Sequence, residues 1–90
     1  MRFRNSGLNK AIKTLIKKEI YALDPNTYMT EHSFSTSYNI DVNRIVPLFL
    51  ELEEEGFFRS NDIDIGYITK RYSHQNIKIK IYIKKGDTNE

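Results

Sequence analysis

The stretch FSTSYNIDVNRIVPLFLELEEEGFF, which begins at Phe34, constrains the fold more than any other part of the chain. Phe34 and Tyr38 lie about one helical turn apart. After a short break, Ile45, Phe49 and Leu52 recur at helical spacing. The pattern therefore predicts two helices joined by a tight turn, each burying one side. The rest of the chain is expected to complete a core around this pair.

The residues between and after these two helices favour the same interpretation. Asn39 adopts a positive φ at lower cost than most residues, which suits a sharp helix exit. Asp41 can cap the next helix by accepting from its free backbone N–H groups. Gly56 ends that helix after a run of glutamates, and Phe57-Phe58-Arg59 is expected to begin a strand.

This stretch resembles the helix-turn-helix of winged-helix proteins. Phe34-Ser35 match the bulky and small residues of the first helix, and Asn39-Ile40 match the turn. Leu52-Glu53-Glu54-Glu55-Gly56 match the end of the second helix. The resemblance implies an α+β winged helix, with three helices and a small antiparallel sheet that forms the wing. Winged helices bind DNA, RNA and protein, so the resemblance indicates the fold more specifically than the function.

The flanking sequence supplies the remaining elements of such a domain, which we expect to span residues 1–90. Three helices are predicted near 8–23, 31–38 and 42–55, the second capped by Thr30, with a short strand at 27–29. The wing is expected within 57–85. Residues 1–6 are expected to form an arm and 86–90 a frayed tail.

The alternation from Ile77 to Lys84 is the clearest strand signal in the chain. It places four isoleucines on one face, and we expect that face to be buried. The opposite face is then a basic outer surface formed by Lys78, Lys80, Tyr82 and Lys84. A polar turn is predicted at 73–76, between this strand and the preceding one.

The buried set predicted from these patterns draws on every element. It comprises Leu15, Ile16, Phe34, Ile40, Ile45, Phe49, Leu52, Ile79 and Ile81. Pro47 is an irregularity, because it falls inside the third predicted helix and removes a backbone hydrogen bond there. Either that helix begins later than Asp41 suggests, or it is kinked.

The distribution of charge is more informative than the net charge of +2. Residues 1–30 hold six Lys/Arg and two acids, residues 31–66 two and eight, and residues 67–90 six and two. The basic charge therefore lies outside the helix-turn-helix. A DNA-binding protein that relies mainly on its second helix would not usually be charged in this way.

The sequence offers little basis for catalysis or a cofactor. His32 and His74 are far apart and belong to no motif with a nucleophile, and the consecutive glutamates cannot all face one site. Asp62 and Asp64 form at most a weak cation site. We expect no enzyme activity, cofactor or metal. The lack of cysteine suits a cytoplasmic protein, and no apolar run approaches the roughly 18 residues of a membrane span.

The leading hypothesis is binding of double-stranded DNA, as a small transcriptional regulator or an accessory DNA-binding factor. Asn43 and Arg44 occupy positions that face outward in the winged-helix pattern, and both residue types bind base edges well. Four wing residues are expected to contact phosphates, namely Lys70, Arg71, Lys78 and Lys80. A solvated outer face that only prevents aggregation explains the same lysines equally well.

The alternative is a winged-helix module that binds protein without recognising a DNA sequence. Val46, Pro47 and Leu50 also face outward in the family pattern, and apolar side chains suit a protein contact. Phe58 is expected to extend this patch. A homodimer is expected in either case, held partly by the stripe of helix one. The stripe comprises Leu8, Ala11, Ile12, Leu15, Ile16 and Ile20.

Overall fold

The computed structural model describes residues 6–86, which form an α+β arrangement of helices and a three-stranded antiparallel sheet. The elements are α1 (Ser6–Ala22), β1 (Tyr28–Met29), α2 (Glu31–Tyr38), α3 (Val42–Glu54), α4 (Phe57–Ser60), β2 (Ile63–Tyr72) and β3 (Gln75–Lys84). The strand order is β1-β3-β2, so β3 is central. Helix α1 already begins at Ser6, and the rest of the predicted arm and most of the predicted tail lie outside the described residues.

The predicted boundaries of α2 and the start of α3 are confirmed by their capping groups. The Thr30 hydroxyl oxygen accepts a hydrogen bond from the Ser33 backbone N–H, and the Ser33 hydroxyl oxygen accepts one from the Thr30 backbone N–H, which forms a capping box. Asn39 ends α2 at φ 55°, and Asp41 accepts from the Asn43 N–H. These local contacts satisfy backbone groups that would otherwise be unpaired, which explains why the ends could be predicted.

Helix α3 begins at Val42 and passes through Pro47, so the later start is wrong. The proline costs one intrahelical bond. Burial compensates for it, because Ile45, Leu48, Phe49 and Leu52 are all buried on one side of the helix. Packing against the rest of the domain therefore outweighs the local preference of proline.

The predicted strand at Phe57 is wrong, because residues 57–60 form the short helix α4. Gly56 makes the turn between α3 and α4 at φ 81°, a conformation that glycine adopts at little cost. The turn places Phe58 in the core at 1% exposure. The Asn61 side chain closes the helix by donating to the Phe57 carbonyl at 2.8 Å.

Helix α1 packs its isoleucines into the core rather than leaving them for a partner. Ile12, Ile16 and Ile20 are buried, and Leu15 is partly buried against the same cluster. On α2, the Tyr38 hydroxyl donates to a Glu19 carboxylate oxygen of α1 at 2.5 Å. No helix in residues 6–86 is long and apolar enough to cross a membrane.

The sheet packs on the helices with the face opposite to the one predicted. Tyr82 is fully buried, with its ring centroid 4.8 Å from Phe49 and 4.7 Å from Phe58. Met29 and Ile63, on the same face of the sheet, belong to the same core cluster. We call this face, which carries Tyr82, the inner face. The expectation that Tyr82 lies on the outer surface is wrong.

The isoleucines of β3 therefore lie on the outer face of the sheet, away from the helices. Ile81 is 5% exposed but stands outside the core cluster, and Ile79 and Ile83 are partly exposed. Ile77, farther along the hairpin, is 40% exposed. Of the predicted core, Ile16, Phe34, Ile45, Phe49 and Leu52 are confirmed in the core cluster, and Leu15 and Ile40 pack at its border. The predicted burial of Ile81 is also confirmed, although on the outer face, whereas Ile79 is only partly buried.

The buried hydroxyl of Tyr82 should make the free energy of unfolding fall at alkaline pH. Its hydroxyl donates to Glu31 at 3.0 Å, and burial, followed by the Glu31 charge, raises its pKa above the ordinary value. The unfolded chain loses this proton near pH 10 while the folded protein keeps it, so the free energy of unfolding falls as pH rises above about 10. Tyr82→Phe should lower that free energy by about 1 kcal/mol at neutral pH and make the alkaline decline shallower.

Chemical denaturation between pH 7 and pH 11 checks this prediction. Tyr67→Phe is the matched control, because Tyr67 is 59% exposed. If the free energy of unfolding declines equally in the Tyr82→Phe variant and the wild-type protein, Tyr82 does not cause the alkaline decline.

Candidate nucleic-acid interface

The most prominent surface feature is the long hairpin of β2 and β3. The strands pair continuously from Ile63 opposite Lys84 to Tyr72 opposite Gln75, so the turn consists of Ser73 and His74 alone. Ser73 has φ 53°, and a positive φ at the first central residue alone is typical of a type II′ turn. The predicted turn at 73–76 is therefore two residues shorter. All residues from Thr69 to Lys78 are exposed.

Except at its base, the hairpin carries only positive charge. Residues 65–82 contain four Lys/Arg and no Asp or Glu. Lys70 lies on the outer face, whereas Arg71 and Lys78 lie on the inner face near each other, since Thr69 is opposite Lys78 and Arg71 is opposite Asn76. Within residues 6–86, neither lysine nor Arg71 is in a salt bridge. These three side chains remain available for phosphates.

Exposed tyrosines accompany these basic residues. The Lys78 ammonium lies 5.6 Å from the centroid of the Tyr67 ring, and Tyr72 is 51% exposed beside the turn. Tyr67 was not among the predicted DNA-binding residues, although its alternation with Thr69 and Arg71 places it on the same face as Arg71. Cations over aromatic rings are held at a defined position without losing their charge.

Lys80 differs from Lys78, although the two are equivalent in the sequence pattern. Its ammonium lies 2.9 Å from Glu53 of α3, and its side chain is only 19% exposed. It also lies 5.6 Å from the Tyr82 ring centroid. Lys80 therefore links the sheet to α3 and is less available for a ligand than Lys78.

The residues of α3 that were expected to contact bases differ in accessibility. Asn43 is exposed in the first turn of the helix. Arg44 is half-buried, and its Nε atom is buried without a hydrogen-bond partner among the described residues. Only Asn43 thus presents its whole side chain to solvent.

The electrostatics of α3 do not favour phosphates. The helix contains one arginine and three glutamates, a net charge of 1 − 3 = −2. Lys13 of α1 donates to Glu51 at 3.2 Å and to Glu55 at 2.7 Å. The hydrogen bond with Glu55 contributes most to raising the pKa of Lys13, against a smaller opposing effect of desolvation. Lys13 therefore holds α1 against the end of α3 instead of facing solvent.

The apolar patch predicted on α3 is smaller than expected. Pro47 is exposed, Leu50 is 44% exposed and Val46 is partly buried. Phe58 does not extend the patch, because it lies in the core. We call Val46, Pro47 and Leu50 the α3 patch.

The homodimer was predicted partly from an uncovered stripe on helix one. Most of that stripe is covered by the chain's own core, and Leu8 and Tyr21 are the large apolar residues of α1 that are exposed, at 50% and 61%. The uncovered apolar surface on α1 is therefore smaller than the whole stripe. Dimer formation itself stays a prediction.

The structure brings together no set of metal ligands in its described part. Within residues 6–86, no three His, Asp or Glu side chains cluster in a way that could hold an ion. Asp62 lies outside β2 at φ 60°, and Asp64 lies 3.6 Å from the Lys85 ammonium. His32 and His74 are both exposed.

Comparisons with protein families, with curated proteins and with solved structures find no match to this chain.

The positive φ of Ser73 makes the turn a target for stabilisation. Glycine adopts this conformation more readily than serine, so Ser73→Gly should raise the free energy of unfolding by up to about 1 kcal/mol. The matched control is Ser37→Gly in α2, which should lower it by about 0.5 kcal/mol because glycine weakens helices. Denaturant titration measures both. A Ser73→Gly variant as unstable as Ser37→Gly would contradict the assigned turn.

Proposed function

We propose that this chain is a winged-helix protein that binds double-stranded DNA mainly through the β2–β3 hairpin. The order α1-β1-α2-α3-α4-β2-β3 with β3 central supports the winged-helix assignment, because apart from the short α4 it is compatible with the layout that the resemblance implies. The observation that carries the DNA proposal is on the hairpin, where Lys70, Arg71 and Lys78 are exposed and form no salt bridge within residues 6–86. Duplex DNA presents a dense array of phosphates to such a surface.

In this proposal the hairpin lies along the DNA backbone. Lys70, Arg71 and Lys78 contact phosphates, and the exposed tyrosines beside them pack on sugars. Contacts of this kind position a protein but do not specify a sequence. Asn43 and Arg44, at the start of α3, approach base edges, while the glutamates at its end stay away from the phosphates. The protein then acts as a small regulator or accessory factor with modest sequence preference.

A salt titration of duplex binding tests this proposal. Affinity should fall steeply with salt, and Lys78→Ala should reduce the slope of log K against log salt by about 1, since each phosphate contact releases counterions. Lys80→Ala is the matched control, because Glu53 already engages that ammonium. It should change the slope less than Lys78→Ala. Lack of duplex binding at low salt, or equal effects of the two variants on the slope, would contradict DNA binding through the hairpin.

A second candidate function is protein binding through the α3 patch. The net negative charge of α3 and the exposure of Pro47 and Leu50 favour it. An apolar centre with charged residues at its rim is common in protein interfaces. Here the domain would use the same scaffold without DNA.

Leu50→Lys separates the two candidates. If the protein binds DNA through the hairpin, the added charge should leave duplex affinity unchanged or slightly higher. If the α3 patch binds a partner, co-purification from cells should lose that partner in Leu50→Lys. The partner should still co-purify with the Tyr21→Lys variant, which places the same charge at an exposed aromatic residue of α1. Retention of the same partner by both variants excludes the α3 patch.

A further inference from the structure

One side of β3 is left unpaired along most of its length. Strand β1 pairs only with Ile83 and Tyr82, and β3 continues to Gln75 beyond it. Within residues 6–86, no backbone group of another strand pairs with residues 75–81 on that side. We call this side of residues 75–81 the open edge.

The hydrogen-bond pattern identifies the groups at the open edge. On the β1 side, the Lys84 N–H donates to Thr27 and the Lys84 carbonyl accepts from Asn26, both at 2.9 Å. Because backbone groups alternate in direction along a strand, Asn76, Lys78 and Lys80 point their N–H and C=O groups the same way. The intervening residues direct theirs to β2. The open edge therefore presents three donor and acceptor pairs in the spacing of a strand.

A groove lies beside this edge. It encloses about 450 Å³ between the start of α2 and the outer face of the hairpin. Tyr28, Ile68, Tyr72 and Ile79 supply much of its apolar wall. Ile79, which was expected in the core, thus forms part of an accessible surface next to unpaired backbone.

We propose that the open edge and this groove bind an extended segment of a partner protein in which acidic and aliphatic residues alternate. The segment adds a strand to β3, in line with β1. Its aliphatic side chains lie on the outer face beside Ile77 and Ile79, and its carboxylates lie on the inner face beside Lys78. Main-chain bonds then supply affinity and the alternating side chains supply specificity.

The positive charge of Lys78 favours an acidic segment over a second copy of the chain at the open edge. Antiparallel pairing that uses the whole open edge is centred on Lys78, so Lys78 would stand opposite Lys78 of the second copy. Like charges directly opposite each other destabilise a sheet. The nearby hairpin residues 65–82 include no acid that could offset this repulsion. A segment with carboxylates at these positions removes it.

Strand geometry also selects a peptide over DNA at this edge. Phosphates accept hydrogen bonds but do not donate them, so they would leave the carbonyls of Asn76, Lys78 and Lys80 without partners. Lys70 lines the groove and can contact a phosphate, but Ile68 and Ile79 beside it cannot. This site shares Lys78 and Lys70 with the proposed DNA contact but no residue with the α3 patch.

Amide hydrogen exchange with a short synthetic peptide of alternating glutamate and valine tests the proposal on the full chain. One version is N-methylated on alternate residues so that only one peptide edge can pair, which prevents self-association. The control is methylated on the same residues and also on the intervening ones, so that neither edge can donate. With nine-tenths of the protein bound, exchange at Asn76, Lys78 and Lys80 should slow about tenfold, because only the free fraction exchanges. The control peptide should give no slowing.

Charge reversal provides the second measurement. Lys78→Glu should weaken peptide binding by about fivefold, the effect of losing one cross-strand pair, whereas Lys18→Glu on α1 should not. Binding without slowed exchange at the three amides would overturn the proposal. So would slowing caused by duplex DNA, or by concentration-dependent dimerisation without peptide. Peptide binding without slowed exchange at these amides leaves the DNA proposal untouched, because only the duplex titration tests that proposal.

Discussion

The burial of one tyrosine from the sheet between two phenylalanines of the helices fixes the rest of the architecture. Tyr82 contacts both Phe49 of α3 and Phe58 of α4, and its hydroxyl bonds to Glu31 of α2. Large aromatic side chains contribute strongly to a small core. Three helices are therefore positioned relative to β3 by one side chain. The same contact decides which face of the sheet points inward.

The sequence could predict the strand but not its orientation, because alternation defines two faces without ranking them. Four isoleucines outweigh one tyrosine in any count of apolar residues. The structure buries the tyrosine face, since Glu53 compensates Lys80 and since Lys78 lies beyond the reach of the helices. The information that decides the orientation resides in long-range contacts, which no local pattern contains.

Elements defined by local contacts could be predicted well. The capping box at Thr30, the left-handed Asn39 and the Asp41 cap all involve residues within a few positions of one another. Helix α4 was missed because its formation depends on Phe58 entering the core after the turn at Gly56. The candidate DNA residues show the same division. Their positions on the hairpin followed from alternation, but the difference between Lys78 and Lys80 depends on a glutamate 27 positions from Lys80.

The inverted sheet also determines how the hairpin can serve two ligands. Past the core, its inner face carries Arg71 and Lys78, and its outer face carries isoleucines beside Lys70, because the same alternation continues where no helix covers either side. A phosphate backbone suits the inner face, and an added strand lies in the plane of the sheet between the two faces. Lys78 belongs to both proposed contacts. A bound acidic segment would therefore neutralise one of the three free cations on the hairpin, so the proposed peptide should weaken DNA binding without blocking it.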